Sequence, residues 1–364
     1  MRIVSAAPVS LAALLCGALP AGAAKYAGEF MYAGAGARAL GMGGAFCAIA
    51  DDATAAYWNP AGLVGLESSE LQLMHSERFG GLVRYDYLAY AARRGSSVLS
   101  ASLFRTDAGD VADTTDLLWY DTGSDGVAGV DGEGEPGDSG NDDYDPETNP
   151  GGTEGNGEWD PGEELIYDEG RISWGSAVDY ALYLSWARPV NETLSAGASV
   201  KVIQRTLLDH SAWGVGLDAG VQWRPLERFS AGVNIQDTFG TLVFWDTGSS
   251  ESVLPTVKAG AATSWNIRRF STVATIAADG DFRFEGRRYA SQYHVGEASL
   301  DTHFGLELMI RDRVGLRMGS SEGRFAAGAG FRMGLFGHPV ELDYAFLGHE
   351  DLDDTHRISL GIGL

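Results

Sequence analysis

The sequence predicts an all-β protein: a transmembrane antiparallel β-barrel of about fourteen strands with an N-terminal luminal plug. Three observations carry this prediction. From about Ser68 onward the chain alternates apolar residues with small or polar ones at period two. The segments so defined are joined by connections that are short on one side and long on the other. The chain also opens with the pattern of an export signal, yet no later run of about 18 apolar residues offers a membrane helix.

Residues 1–23 read as a cleaved signal peptide. Arg2 supplies the positive start, residues 3–19 the apolar stretch and Ala21-Gly22-Ala23 the small-x-small cleavage site, so the mature chain is expected to begin at Ala24 or Lys25. The run is short for an anchor, and Leu15 stands before Cys16 where a lipoprotein would need a small residue. Cys47 is then the one mature cysteine, which excludes an internal disulfide and reads as a small buried hydrophobe. Residues 24–66, rich in Gly and Ala, precede the alternating segments. A short helix is expected from Asp51 to Tyr57, capped by Asp51 or Asp52 and ended at Asn59-Pro60, because the residue before proline is forced out of the helical region.

Residues 67–364 form the barrel. Strands are expected to start near residues 68, 82, 96, 172, 192, 211, 228, 253, 268, 299, 313, 323, 339 and 355. Trp213, Val215, Leu217, Ala219, Val221 and Trp223 share one face of such a strand, with Gly214, Gly216, Asp218, Gly220 and Gln222 on the other. If the first strand runs outward, the connections at Arg94-Gly95, Pro225-Leu226-Glu227 and Arg311-Asp312 face the periplasm and are short. Residues 107–170, 237–252, 279–298 and 348–354 then become long outer loops. A soluble β-sandwich also alternates. Its solvated face usually carries many Lys, Glu and Thr, whereas the polar face here is mostly Gly, Ala and Ser with isolated charges, which suits a crowded lumen. Trp186, Trp213, Trp223, Trp265, Tyr85, Tyr87 and Tyr344 are candidates for the interfacial aromatic girdles, and the partner of the outward face is outer-membrane lipid.

The formal net charge is -24, but residues 107–170 hold 21 Asp or Glu and no Lys or Arg. The rest has 29 acids against 26 bases and is nearly neutral. No basic surface is left for nucleic acid. The acidic insert carries two readings. Glu154, Asn156, Asp160, Glu163 and Asp168 supply hard oxygens at a spacing suited to a calcium loop, with Asp121, Asp125, Asp131 and Glu133 as a weaker second set. The other reading is a solvated acidic loop.

Two stretches resemble a known family. The first is Gly36-Ala37-Arg38-Ala39-Leu40-Gly41-Met42-Gly43-Gly44-Ala45-Phe46 followed by Ala50-Asp51-Asp52-Ala53-Thr54-Ala55-Ala56-Tyr57-Trp58-Asn59-Pro60-Ala61-Gly62-Leu63. The second is Asp343-Tyr344-Ala345-Phe346 with Thr355-His356-Arg357-Ile358-Ser359-Leu360. Together they resemble the PorV/PorQ family, within the FadL-like group of outer-membrane proteins. The resemblance implies a fourteen-stranded barrel in the bacterial outer membrane, with residues 24–66 folded as a plug, or hatch, that includes Arg38, Asp51, Asp52, Asn59, Pro60 and Gly62. It also implies two roles: an accessory of type IX-like protein secretion that binds secreted proteins or secretion-machinery components, or a transporter of hydrophobic small molecules. A calcium-dependent structural surface protein is a third expectation.

Lumen-facing candidates are Lys201, Asp218, Glu307, Arg317, Arg324, Arg332, Asp343 and Arg357. The plug carboxylates are expected to pair with lumen arginines, since unpaired charge in a narrow lumen is costly. Such pairs read either as a structural lock or as a gate that shifts with substrate, and the lock is favoured. No enzyme is predicted. Gly319-Ser320-Ser321-Glu322-Gly323 fits the nucleophile pattern but falls in a hairpin, not a strand-to-helix turn. Gly34-Ala35-Gly36-Ala37-Arg38-Ala39 has no βαβ unit after it, and the histidines are scattered, so no cofactor is expected beyond the calcium reading.

Overall fold

The computed structural model describes residues 28–114, 122–123, 144–157, 170, 172–287, 290–348 and 354–364. Period-2 alternation yields antiparallel strands: β1 Glu70–Arg78, β2 Val83–Arg94, β3 Ser97–Asp113, β4 Ser173–Pro189, β5 Leu194–Leu207, β6 His210–Leu226 and β7 Phe229–Gln236. There follow β8 Thr241–Trp245, β9 Ser250–Val253, β10 Thr256–Ile267, β11 Thr272–Arg283, β12 Tyr293–Val295 and β13 Ala298–Ile310. The chain ends with β14 Val314–Ser321, β15 Arg324–Leu335, β16 His338–Leu347 and β17 Thr355–Gly363. The sheet closes on itself where β1 meets β17, with Leu73 opposite Leu360. Fourteen of these strands make the wall of a closed barrel. Closure leaves no edge, so every wall strand has a partner on both sides.

The other three strands fall in segments expected to be loops. β8 pairs with the first half of β6, opposite Ala212 to Val215, and β9 pairs with β8. β12 adds three residues against the start of β13. Residues 237–252 and 279–298 are therefore partly strand, and β11 itself runs on to Arg283. These runs of three to five residues are too short for alternation to mark them.

Along β6 the alternation sorts residues as expected: Trp213, Val215 and Trp223 point out and are exposed, whereas Asp218 and Gln222 are buried in the lumen. Trp186, Trp265 and Tyr344 also lie on the outer surface. Tyr85 and Tyr87 do not. They point inward, buried, and pack around Phe104 with ring centroids 5.6 and 4.6 Å away. Every odd position of β2 from 85 to 91 faces the lumen, and Tyr at such a position meets the plug rather than lipid.

The plug consists of short turns: Glu29–Ala33, Ala37–Gly41, Ala55–Trp58 and Pro60–Gly65. The helix expected from Asp51 starts only at Ala55, because Asp52 Oδ1 accepts the Thr54 N–H at 2.8 Å and holds a polar turn ahead of it. Asn59 is extended and its side chain caps the turn that Pro60 opens. Cys47 is buried, with its thiol free. Plug and wall belong to one compact unit. Residues 110–175 form a second unit, in which Asp145 Oδ1 accepts the N–H groups of Glu147 and Thr148 at 2.7 and 2.8 Å. Those two donors hold the Asp145 carboxyl below the usual range.

Candidate functional site

The plug is fixed by three kinds of contact, each rooted in residue type. The first is close approach. A Cβ added at Gly197 would lie 2.4 Å from the Pro60 carbonyl carbon, at Gly319 2.4 Å from that of Met42, and at Gly232 2.4 Å from the Cys47 oxygen. Only glycine lets the backbones meet at such distances. The second is polar capping. A plug of short turns leaves its N–H and C=O groups without a regular ladder, so the wall supplies partners. Asp279 accepts the N–H groups of Phe46 and Cys47 at 2.8 and 2.7 Å. Gln222 Nε2 donates to Ala48 O at 2.9 Å, Asn234 Nδ2 to Trp58 O at 3.1 Å, and Gln236 Nε2 to Tyr57 O at 3.1 Å. Asn59 Nδ2 donates to both Cys47 O and Val221 O at 3.0 Å, tying the plug to itself and to β6.

The third is an ion-pair chain at the short-turn end. Arg38 binds Asp51 at 2.6 Å and Glu307 at 3.0 Å, with Asp52 at 3.7 Å. Glu307 in turn meets Arg317 at 2.8 Å, Arg317 meets Asp343, and Arg332 links Glu341 at 2.8 Å to Asp312 at 3.1 Å. The arrangement reverses the expected one. The plug carboxylates Asp51 and Asp52 pair with the plug's own arginine, and that arginine crosses to a wall carboxylate. Arg38 follows a glycine-rich turn that brings it back over Asp51, so the short-range pair forms inside the plug and leaves Glu307 as the wall's contribution. Burial works against the Arg38 charge, but Asp51 and Glu307 outweigh it and keep the guanidinium protonated. Burial pushes the Asp52 carboxyl up, against the pull of Arg38.

The remaining lumen candidates all lie on inward positions. Lys201 sits between Asp218, at 2.9 Å, and Asp237, fully buried. Arg324 pairs with Glu322. Arg357 is buried and, among the described residues, has no carboxylate partner. Pro60 and Gly62 contribute backbone contact: a Cβ at Gly62 would meet Ala50 O at 2.3 Å. Residues that sequence reading did not single out include Asp279, Asn234, Gln236, Glu341 and the Lys258–Asp281–Arg283 cluster, in which Asp281 contacts Lys258 and lies 3.7 Å from Arg283. Their signal was register, since each falls on the inward parity of its strand.

Of the expected calcium ligands, Glu154 and Asn156 are described, while Asp160, Glu163 and Asp168 lie outside the described residues, as do Asp121, Asp125, Asp131 and Glu133. Among the described residues no three His, Cys, Asp or Glu side chains are grouped to hold a metal ion.

Comparison with solved structures places the architecture. The toluene transporter TodX of Pseudomonas putida superposes with a TM-score of 0.52 at 12% identity, over 90% of this chain and 97% of that one. The toluene transporter TbuX of Ralstonia pickettii gives 0.51 at 13%, over 90% and 97%. A FadL homologue of Pseudomonas aeruginosa gives 0.50 at 10%, again over 90% and 97%. The fold is that of a FadL-type barrel. Residues 5–110 also match the model described as Uncharacterised protein family (UPF0164). That stretch contains the plug and the first two strands. No curated protein sequence matches the chain.

Proposed function

We propose that this protein is an outer-membrane barrel of the PorV/PorQ kind, accessory to type IX-like secretion, which binds and presents secreted proteins or secretion components instead of conducting a solute past its plug. The observation that supports this reading is the seal: the plug backbone presses on wall glycines of β5 and β14, and wall amides cap its carbonyls. A plug so fitted leaves its exposed rims as working surfaces. The experiment is deletion of the gene followed by proteomics of the culture medium, with affinity capture of the tagged barrel. Loss of a set of secreted proteins, together with their capture on the barrel, supports the role. An unchanged secretome removes it.

A second reading, transport of hydrophobic small molecules, draws on one observation. Tyr57, Tyr85, Tyr87 and Tyr183 surround Phe104 with centroid distances of 4.6–5.6 Å, giving an aromatic surface between wall and plug. The neighbours named as toluene transporters make toluene the first probe. Uptake by vesicles carrying the barrel, absent from empty vesicles, is the result that supports it. For residues 107–170 the calcium loop and the solvated acidic loop are separated by calcium titration of the full chain.

A further inference from the structure

At the long-loop end most lumen cations are paired, Arg205 with Asp179, Arg283 with Asp301, Arg287 with Glu29 and Arg324 with Glu322, but one patch is not. There, four residues form one inward row across adjacent strands: Arg357 of β17 faces Ser76 of β1, Ser76 faces Tyr85 of β2, and Tyr85 faces Thr106 of β3. Arg357, Ser76 and Tyr85 are almost fully buried, at 3%, 1% and 1% exposure. Yet Arg357 Nη1, Ser76 Oγ, Tyr85 OH and Thr106 Oγ1 are all buried without a hydrogen-bond partner among the described residues. Arg78, two residues beyond Ser76 on the same face, has its Nε in the same condition and lines a cavity of about 550 Å³ whose carboxylates, Glu29, Asp301 and Glu322, are taken up by Arg287, Arg283 and Arg324. Among the described residues neither Arg78 nor Arg357 has a carboxylate partner, although other lumen-side cations do, among them Arg38, Lys201, Lys258, Arg283, Arg317 and Arg324.

Buried polar groups are nearly always satisfied, and a buried charge without a partner is costly. Two guanidiniums and three hydroxyls on neighbouring inward positions thus form a donor set to which no described side chain supplies an acceptor. Guanidinium pairs suit the oxygens of phosphate, and hydroxyls add further donors to the same oxygens. We propose that Arg357, Arg78, Ser76, Tyr85 and Thr106 form a binding site for a dianionic oxyanion, a phosphate group borne by a small solute. The two uncompensated positive charges set the preference for a dianion over a carboxylate. The site goes beyond either role proposed above and depends on neither.

The test is thermal unfolding of the purified full-length barrel in a nonionic detergent, with inorganic phosphate titrated against acetate and against sodium chloride at matched ionic strength. Phosphate raises the midpoint with saturation, acetate less, and chloride not at all. Tyr85→Phe, which keeps the ring packing, weakens phosphate by about tenfold, the scale of one hydrogen bond to a charged group. Arg357→Gln abolishes the phosphate response and raises the midpoint of the ligand-free protein, because the unpaired buried charge is gone. A residue with a purely structural role would lower that midpoint. Equal shifts with chloride, an unchanged phosphate affinity in Tyr85→Phe, or a ligand-free Arg357→Gln less stable than wild type each overturn the proposal. Stronger stabilisation by acetate than by phosphate overturns the dianion assignment. If Arg357→Gln does not fold, Tyr85→Phe alone decides.

Discussion

Replacing Gly197 by alanine tests directly whether the plug is wedged against the wall. The added Cβ would lie 2.4 Å from the Pro60 carbonyl carbon and 2.5 Å from the Ala61 nitrogen, where ordinary contact starts at 3.4 Å, so plug and β5 must part by about 1 Å. Gly197 has no positive φ, so alanine fits its backbone and the contact alone is probed. The plug cannot simply slide away, because Gly319 on β14, well round the wall from β5, is equally tight against Met42 and Gly43. Overpacking of this kind costs about 1–3 kcal/mol. Each of Gly197→Ala and Gly319→Ala should lose that much, and the double variant should lose at least the sum, since relief toward one side worsens the other. Gly334→Ala is the control, as a Cβ there meets nothing within 4 Å. Urea unfolding in micelles, followed by tryptophan fluorescence, measures the loss. Limited proteolysis at Arg38 reports whether the plug has loosened. If both tight-site variants unfold within about 0.5 kcal/mol of Gly334→Ala, the size of an ordinary surface substitution, the wedge does not exist.

Glu307→Gln should cost about 3–5 kcal/mol in the same unfolding assay, because it strips a buried acid from between Arg38 and Arg317, whereas Asp51→Asn, at a side chain 41% exposed, should cost far less. Asp52 gives a pH signature. Its carboxyl is held up by burial, so its contribution to folding is fullest at low pH and declines as pH rises through its folded value. Asp52→Asn should therefore match or exceed wild type at pH 8 and lose that advantage at pH 4, checked by unfolding at both. Phe104→Ala, at the centre of the aromatic cluster, should cost about 3–5 kcal/mol, the usual loss for a buried phenylalanine. Calcium added to the full chain should protect residues 107–170 from proteolysis, with chelator reversing it; identical digestion patterns would leave the solvated-loop reading.

The wall was legible because its signal is repeated along every long strand. Trp213 to Trp223 alternate over a dozen residues, and the observed β6, His210–Leu226, follows them. β8, β9 and β12 escaped because a three- to five-residue run shows too few periods to stand out from a loop. Aromatic residues were ambiguous for a different reason. A Tyr serves an interfacial girdle and a packed lumen equally well, so only parity within β2 sends Tyr85 and Tyr87 inward. The plug's position followed from the family resemblance of residues 36–63, but its pairing did not. Which carboxylate Arg38 meets depends on how Gly36, at φ 77°, and the turns after it fold the chain back onto Asp51, and no composition encodes that path. Asn234 and Gln236 were missed because a neutral amide inside a strand carries no charge to mark it, although it caps plug carbonyls as Asp279 caps plug N–H groups.

Among the described residues, Arg78 and Arg357 depart from the pairing that other lumen cations show at both ends, and the difference constrains what the protein can be. At the short-turn end Arg38, Arg317 and Arg332 are each matched by carboxylates, so the charges there serve cohesion. At the other end a glutamine in place of Arg357 could donate to Ser76 or Tyr85 without the desolvation cost of a cation. Packing and hydrogen bonding alone therefore give no reason for a guanidinium there. The lock at one end supplies stability, and the site at the other draws on it until an anion arrives. Stability and binding should then move in opposite directions on mutation: changes to the lock weaken the fold and leave phosphate affinity alone, while Arg357→Gln strengthens the empty barrel and silences the site. Measuring Glu307→Gln and Arg357→Gln side by side, each with and without phosphate, separates the two functions, and parallel losses in both columns would mean that the lumen works as a single structural network.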